Sequence, residues 1–277
     1  MTMEAGRFQS MTRSWARLRS LQPLPIDLGR LDLLAAASLE ELGDPRRVEA
    51  LIVELGLNDE ERSEFPISLQ PRLGQGLRIW QYPHQFSRYL TTLARLKVRS
   101  YLEVGVRHGG SFVATAEYLR RFAPLDFAIG VDVIPCPALR AYEKMNPAAH
   151  FWCVDSRAPD FAARLDTLGP IDLVFIDSHH EEEQCRAEWE LFAPRASMIA
   201  FHDVDNVGCP GVGKVWQEVS RSPSHRCLTF IEQYEGLGPF MGIGLAIRRE
   251  GLRPPTPLSE SSSHEPMSNE RTNGGTR

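Results

Sequence analysis

The chain has 277 residues, of which 42% are hydrophobic and 24% charged, and these values are typical of a globular protein with one or two domains. A net charge of −5 gives no overall basic field for nucleic acid, and no stretch approaches the roughly 20 apolar residues that span a membrane. The five cysteines form no CxxC pair, so we expect neither a disulfide scaffold nor a structural zinc site. The same cysteine usage predicts a cytoplasmic location.

The two ends of the sequence differ in composition from its middle. Residues 1–25 carry four arginines and one acidic residue, which favours a flexible basic terminus over a transit peptide. Residues 26–95 have leucines and aromatic residues at helical spacing and predict a helical segment that serves as a lid or as a contact within a homo-oligomer. Residues 251–277 are rich in Pro, Ser, Asn and Gly and predict a disordered tail.

Residues 96–250 alternate short apolar runs with helical stretches and are interpreted as one domain. The runs are 101–104, 127–131, 151–154, 173–176 and 198–201, and the helices lie near 110–122, 137–146, 157–168, 181–193 and 212–221. Continuous apolar strands separated by helices predict an α/β fold whose parallel sheet is covered on both faces. The last runs, 227–231 and 241–247, have no convincing helix between them and predict an antiparallel pair.

An acidic residue stands at the end of each of the first five runs. Parallel sheets bind ligands beyond the carboxyl ends of their strands, so these residues mark the predicted functional edge. Each one alone is also typical of a helix cap or a turn, but capping does not account for the whole series. The five residues are Glu103, Asp132, Asp155, Asp177 and Asp203.

The first run continues into a glycine-rich turn and the start of a helix. Its spacing, G-x-x-x-G-G, differs from the dinucleotide motif G-x-G-x-x-G. Glu103, just before Gly105, suits a ligand with a cationic end, and Asp132 after the second run is placed to take both hydroxyls of a ribose. S-adenosylmethionine (SAM), a nucleoside with a cationic amino-acid arm, fits both features.

The segment E-V-G-x-x-x-G-G-S, with the order of the predicted elements, resembles motif I of the class I SAM-dependent methyltransferases over about residues 75–248. The resemblance implies a Rossmann-like, seven-stranded, mostly parallel sheet with a reversed final hairpin and helices on both faces, preceded by the helical N-terminal segment. It also implies that the methionine arm lies by the glycine loop, the ribose on Asp132 and the adenine near Asp155. The implied cofactor-binding residues are Glu103, Gly105, Gly109, Ser111, Asp132, Asp155, Ser156 and Asp177.

Two polar segments, D-S-H-H after the fourth run and H-D after the fifth, carry the candidate chemistry. Two neighbouring carboxylates, Asp177 and Asp203, favour a bound cation such as Mg²⁺ or Ca²⁺ between them. His180 is suited to accept the proton of a substrate hydroxyl near pH 7. D-x-x-H followed by H-D, with Ile-Trp-Gln at 79–81, resembles the metal-dependent O-methyltransferases of macrolide sugars and the cephalosporin-hydroxylase-type proteins.

That second resemblance implies that Asp177 and Asp203 bind Mg²⁺ and that His180 is the catalytic base. His202 stands where this branch can have an acidic ligand, and imidazole is a poor ligand for Mg²⁺. His202 therefore lies beside the ligands, or binds a different metal, or belongs to a site without metal. The predicted reaction is the methylation of a small-molecule hydroxyl, such as that of a natural-product sugar.

Three other functions stay open at this stage. An oxygenase would use His179 or His180 with His202 and Asp203 as an iron site, although the glycine-rich loop would then have no purpose. An NAD-dependent oxidoreductase also has an acidic residue after its second strand, but the missing third glycine and the reversed hairpin disfavour it. A non-catalytic module would bind SAM or a partner without needing His180.

Overall fold

The computed structural model describes residues 22–60, 62–234 and 239–249. The predicted basic terminus over 1–25 lies outside the described residues apart from 22–25, and the predicted tail over 251–277 lies outside them entirely. Within the described ranges, no helix combines the length and the apolar character that crossing a membrane requires.

A group of helices precedes the sheet, and we call residues 22–95 the N-terminal cover. Its helices are α1 (Asp32–Ala36), α2 (Leu39–Gly43), α3 (Pro45–Leu55) and α4 (Pro83–Ala94), with 3-10 turns at Leu28–Leu31, Arg62–Glu64 and Ile67–Arg72. A capping box between Ser38 and Glu41 starts α2, and Asp44 caps α3 ahead of a proline in its first turn. The predicted N-terminal helices are therefore present, whereas their role as a lid or in an oligomer stays a prediction.

The described part of the chain then forms one seven-stranded sheet in the order β3-β2-β1-β4-β5-β7-β6. The pairs among β1–β5 are parallel, and β7 runs antiparallel to both of its neighbours. This arrangement confirms the predicted fold class with its reversed final hairpin. The strands are β1 (Ser100–Val104), β2 (Phe127–Asp132), β3 (Ala149–Cys153), β4 (Ile171–Ile176), β5 (Ala196–His202), β6 (His225–Phe230) and β7 (Ile243–Arg248).

Helices cover both faces of the sheet because alternate strand residues point to opposite sides. These helices are α5 (Gly110–Arg120), α6 (Pro137–Met145), α7 (Pro159–Asp166), α8 (Glu182–Phe192) and α9 (Pro210–Ser220). Tyr101 faces the core that contains the cover, and the adjacent Leu102 faces the core on the other side. Tyr89 of α4 stacks on Phe175 of β4 with ring centroids 5.6 Å apart. The cover and the sheet therefore share one hydrophobic core.

The strand order reverses between β1 and β4, which is where ligands bind in open α/β sheets. The two loops that leave these strands touch, because the Asp177 N–H donates a hydrogen bond to the Val104 carbonyl at 2.8 Å. Gly105 has φ +90°, and a Cβ atom added there would lie 2.0 Å from the Asp177 carbonyl oxygen. Only glycine permits so close an approach at a positive φ.

Candidate active site

A cavity of about 420 Å³ lies at this edge of the sheet, between the glycine loop after β1 and the loops after β4 and β5. Its volume lies within the roughly 300–1,000 Å³ that is usual for small-molecule sites. Glu103 and Gly109 are not among the residues that line it. The predicted site residues that do line it are Gly105, Ser111, Asp132, Asp155, Ser156, Asp177, His180, His202 and Asp203.

Glu103 lies inside β1 rather than beyond its end, and its side chain is fully buried. It accepts hydrogen bonds from the Tyr101 hydroxyl and, at 2.7 Å, from Ser111 Oγ. Burial raises the pKa of Glu103 to about 8, so this carboxyl keeps its proton at pH 7. A contact between Glu103 and the methionine arm stays a prediction. Ser111 lines the cavity and donates to Glu103, so it links the buried carboxyl to the cavity.

The glycine loop is held by a residue of the cover, Glu60. Its two carboxylate oxygens lie 2.9 Å from Arg107 Nη2 and 2.8 Å from His108 Nε2. Burial alone would raise the pKa of Glu60, but hydrogen bonds and ion pairs with His108 and Arg107 outweigh it and lower the pKa to about 2. His108 also accepts a hydrogen bond from the Leu24 N–H at 2.9 Å, so the cover is tied to the loop at two points.

Asp132 ends β2 and is bonded to the backbone through both carboxylate oxygens. Oδ2 accepts from the Arg107 N–H at 2.9 Å, and Oδ1 accepts from the Ile134 N–H at 3.0 Å. Burial raises the pKa of Asp132 above its ordinary value. Each oxygen keeps a second lone pair, so the oriented carboxylate can still accept hydrogen bonds from a diol.

The two residues predicted near the adenine lie in different surroundings. Asp155 has 45% of its side chain exposed and accepts a hydrogen bond from the Arg157 N–H at 2.8 Å. Ser156 is buried and donates to Glu188 Oε1 at 2.6 Å, and Ser178 donates to the other oxygen of Glu188 at 2.6 Å. Burial raises the pKa of Glu188, which joins the loops after β3 and β4.

Four ionisable side chains converge where β4 and β5 end. His180 lies between the two aspartates, with Nδ1 2.9 Å from Asp203 Oδ2 and Nε2 3.3 Å from Asp177 Oδ1. His202 Nδ1 lies 2.9 Å from Asp177 Oδ1 and 3.6 Å from Asp203 Oδ2. Because β4 and β5 are adjacent and parallel, the sheet brings together the residues whose proximity the sequence predicted.

Burial and mutual attraction act against each other in this cluster. Burial would raise the pKa values of Asp177 and Asp203, but the facing imidazoles outweigh it and lower both. Burial would likewise lower the pKa of His180, yet the two carboxylates raise it well above its ordinary value. The pKa of His202 is raised for the same reason. The mutual attraction of these side chains therefore favours ionised aspartates next to protonated imidazoles.

Residues 102–204 match a family model described as a methyltransferase domain. The match includes the glycine loop and all five acidic residues at the strand ends, and it confirms the predicted resemblance to the class I SAM-dependent methyltransferases. Among curated proteins, no relative matches the sequence.

Solved structures with a similar chain trace include three from bacteria. The O-methyltransferase from Bacillus cereus in complex with SAH is 13% identical, with a TM-score of 0.48 over 77% of this chain and 93% of that one. TomG from Streptomyces achromogenes, an O-methyltransferase in complex with SAM, is 18% identical, with a TM-score of 0.47 over 73% and 95%. Cofactor-bound Rv0187 from MTB is 19% identical, with a TM-score of 0.48 over 83% and 100%.

The cavity also offers donors for a metal ion. Nδ1 and Nε2 of His202 are buried and have no aligned hydrogen-bond partner within the described ranges. Asp177, His180 and His202 each offer a ligand atom, and these atoms lie within 4.8 Å of one another. Buried imidazole nitrogens that make no aligned hydrogen bond and lie next to carboxylates fit a divalent cation. Imidazole suits Fe²⁺ or Zn²⁺ better than Mg²⁺, so the predicted Mg²⁺ stays a prediction.

His179 takes no part in this cluster of donors. Its Nε2 lies 2.9 Å from Glu181 Oε1, and 34% of its side chain is exposed. The sequence did not single out Glu60 or Glu188, which hold loops around the cavity. Both stand in ordinary polar or helical patterns, so no local signal separates them from surface glutamates.

Proposed function

We propose that the chain transfers the methyl group of SAM to a hydroxyl oxygen of a small molecule. The observation that carries the proposal is that one cavity is lined by two separate groups of polar side chains, and we call their places the cofactor end and the reactive end. The oriented carboxylate of Asp132 lines the first, and the cluster of His180 with Asp177 and Asp203 lines the second. A methyl donor and an acceptor hydroxyl held at these two ends would meet inside the same cavity.

At the cofactor end, the residues of this chain bind and orient. Asp132 is held by two backbone N–H groups, which leaves its carboxylate aligned to accept from the ribose hydroxyls. The Ser111 hydroxyl lines the cavity where α5 begins. SAM supplies an electrophilic methyl group on a sulfonium sulfur. Holding it against the acceptor oxygen turns an encounter in solution into a step within one complex.

At the reactive end, His180 is the proposed base. The Asp203 carboxylate, 2.9 Å from Nδ1, orients the imidazole so that Nε2 faces the side of Asp177. In its neutral form His180 would take the acceptor proton as the oxygen attacks the methyl carbon. The sulfur then leaves with the electron pair of the broken carbon–sulfur bond.

Asp177, Asp203 and His202 are the residues that would hold a divalent cation, which supplies Lewis-acid activation of the acceptor hydroxyl when bound. The two carboxylates support the predicted Mg²⁺, whereas the His202 imidazole favours a first-row transition ion. Calorimetry with Mg²⁺ and with Zn²⁺ on metal-free protein compares the two. A loss of Zn²⁺ affinity in His202→Ala would support His202 as a ligand, and unchanged affinity would exclude it.

The function itself is tested by titrating purified protein with SAM, SAH and NADH, and then by following methyl transfer to a panel of hydroxylated small molecules by mass spectrometry. We expect SAM and SAH to bind, NADH not to bind, and at least one hydroxyl to gain a methyl group. Absence of SAM and SAH binding would overturn the proposal.

One specific observation favours a second function, an iron-dependent oxygenase. Two imidazoles and a carboxylate, the donor types of non-haem iron sites, converge in the cavity. Oxygen consumption by Fe²⁺-loaded protein without SAM would support this function. A SAM-binding protein with no turnover on any hydroxyl would instead support the non-catalytic module.

A further inference from the structure

Asn58, in the cover just after α3, has one end of its side-chain amide unsatisfied. Its side chain lines the cavity although the residue is only 1% exposed. Oδ1 accepts a hydrogen bond from the Glu60 N–H at 2.6 Å, which identifies the other end of the amide as Nδ2. Within the described ranges, Nδ2 has no hydrogen-bond partner. A buried donor without an acceptor is costly, so an acceptor from a ligand is expected at this point.

Contacts of its backbone locate Asn58 at one end of the cavity. The Asn58 N–H donates to the Ile79 carbonyl at 3.0 Å, so Asn58 lies beside the segment 77–80. The same segment packs against Gly110, where an added Cβ atom would lie only 1.9 Å from the Leu77 carbonyl oxygen. Gly110 begins α5, and Ser111 follows it. Asn58 is therefore at the end of the cavity where α5 exposes its unpaired N–H groups.

The groups at this end of the cavity suit an anionic acceptor. Arg78 and Arg107 both line the cavity, but Arg78 is paired with Asp59 and Arg107 with Glu60. The net charge of these pairs is close to zero, so recognition would depend on neutral donors and on the positive end of the α5 dipole. A carboxylate accepts from such donors more strongly than a hydroxyl does. The one carboxylate of SAM belongs to its methionine arm.

We infer that Asn58 Nδ2 donates a hydrogen bond to the methionine carboxylate of SAM, an inference that rests on the proposed function. The N-terminal cover, outside the matched residues 102–204, thereby contributes directly to the cofactor site. Asn58 discriminates between ligands with and without this carboxylate. Its effect differs from that of Glu60, which holds the loop and is not among the residues that line the cavity.

The test compares SAM with decarboxylated SAM, which lacks only the carboxylate, by calorimetry on the full chain. The variant Asn58→Asp keeps the acceptor for the Glu60 N–H and replaces the Nδ2 donor with an oxygen. We expect it to weaken SAM at least tenfold and to leave the affinity for decarboxylated SAM within twofold. Asn58→Ala should give the same pattern with a smaller loss. Gln75→Ala, an exposed amide of the cover away from the cavity, serves as the control.

Each other outcome has a definite meaning. An equal loss for both ligands would make Asn58 a structural residue, and no loss for either would remove it from the site, so both results overturn the inference. A wild-type protein that binds neither ligand overturns the proposed function together with the inference. Melting temperatures of the variants separate a loss of contact from a loss of folding.

Discussion

The two ends of the cavity are built in different ways. The reactive end consists of four ionisable side chains from two adjacent strand ends, and each is within 3.6 Å of another. The cofactor end consists of a backbone loop whose shape depends on a remote segment, through Glu60 and Leu24 of the cover. Substitutions at the first end should therefore affect chemistry most, and substitutions at the second should change both folding and cofactor affinity.

The largest expected effect is on the reaction, at His180. His180→Ala should lower kcat by about 10²–10⁴-fold, the usual contribution of a general base, while SAH affinity stays within a few-fold of wild type. Steady-state kinetics and calorimetry measure the two quantities. His179→Ala is the matched control, because His179 is absent from the groups of converging metal-donor atoms and its Nε2 lies 2.9 Å from Glu181 Oε1. Equal losses in the two variants would remove the distinction between these histidines.

A large effect on folding is expected at Gly105, on the other side of the comparison. An alanine there would bring Cβ to 2.0 Å from the Asp177 carbonyl oxygen at a positive φ. We expect Gly105→Ala to lower the free energy of unfolding by about 3 kcal/mol, because the clash is with backbone and cannot be relieved by a rotamer change. Denaturant unfolding measures the loss. Gly169→Ala, with no neighbouring atom within 4 Å, should cost much less.

Glu60 should make the stability of the cofactor end depend on pH. Its pKa falls from 4.5 to about 2 on folding, so its stabilising contribution is present above pH 4.5 and is lost as the pH falls towards 2. At pH 7 we expect Glu60→Gln to lower the free energy of unfolding by about 2 kcal/mol. The difference between the two proteins should shrink on acidification. If the difference in free energy of unfolding between the two proteins stays constant with pH, the ionised form of Glu60 does not stabilise the fold.

The smallest expected effect is on SAM affinity, at Asp132. Asp132→Asn removes the charge and keeps an acceptor oxygen for only one of the two backbone N–H groups, so we expect a loss of at least about tenfold, corresponding to one charge-assisted hydrogen bond. Turnover at saturating SAM should change little. Calorimetry with SAH and a full kinetic comparison give both values. Unchanged affinity would exclude Asp132 as the ribose ligand and would leave Asn58 and Ser111 as the side chains to examine at this end.

The local pattern of the chain was sufficient for the order of strands and helices and for most of the reactive end. Apolar strands followed by Asp177 and Asp203 predict neighbouring strand ends, and parallel pairing brings such ends together. Motif I also predicted the glycine loop. Glu103 was less well predicted, since it lies within β1 and does not line the cavity.

The contribution of the cover to the site could not be predicted in this way. Glu60 reaches His108 across 48 positions, and Leu24 reaches the same ring across 84. Such contacts depend on how α3 and α4 pack against the sheet, and a single sequence carries no local sign of them. Asn58 is an ordinary loop residue in the sequence, and only its burial at the cavity wall distinguishes it.

The sequence by itself therefore determined the fold class, the similarity to a methyltransferase domain and the polar side chains that follow β4 and β5, because strand periodicity and strand-end chemistry are local properties. Only the tertiary structure decided the protonation of Glu103, the pairing of His180 with both aspartates, and the unmet donor of Asn58. The physical reason is that burial and long-range proximity set the pKa of a group and its available hydrogen-bond partners, and both arise when distant segments pack together.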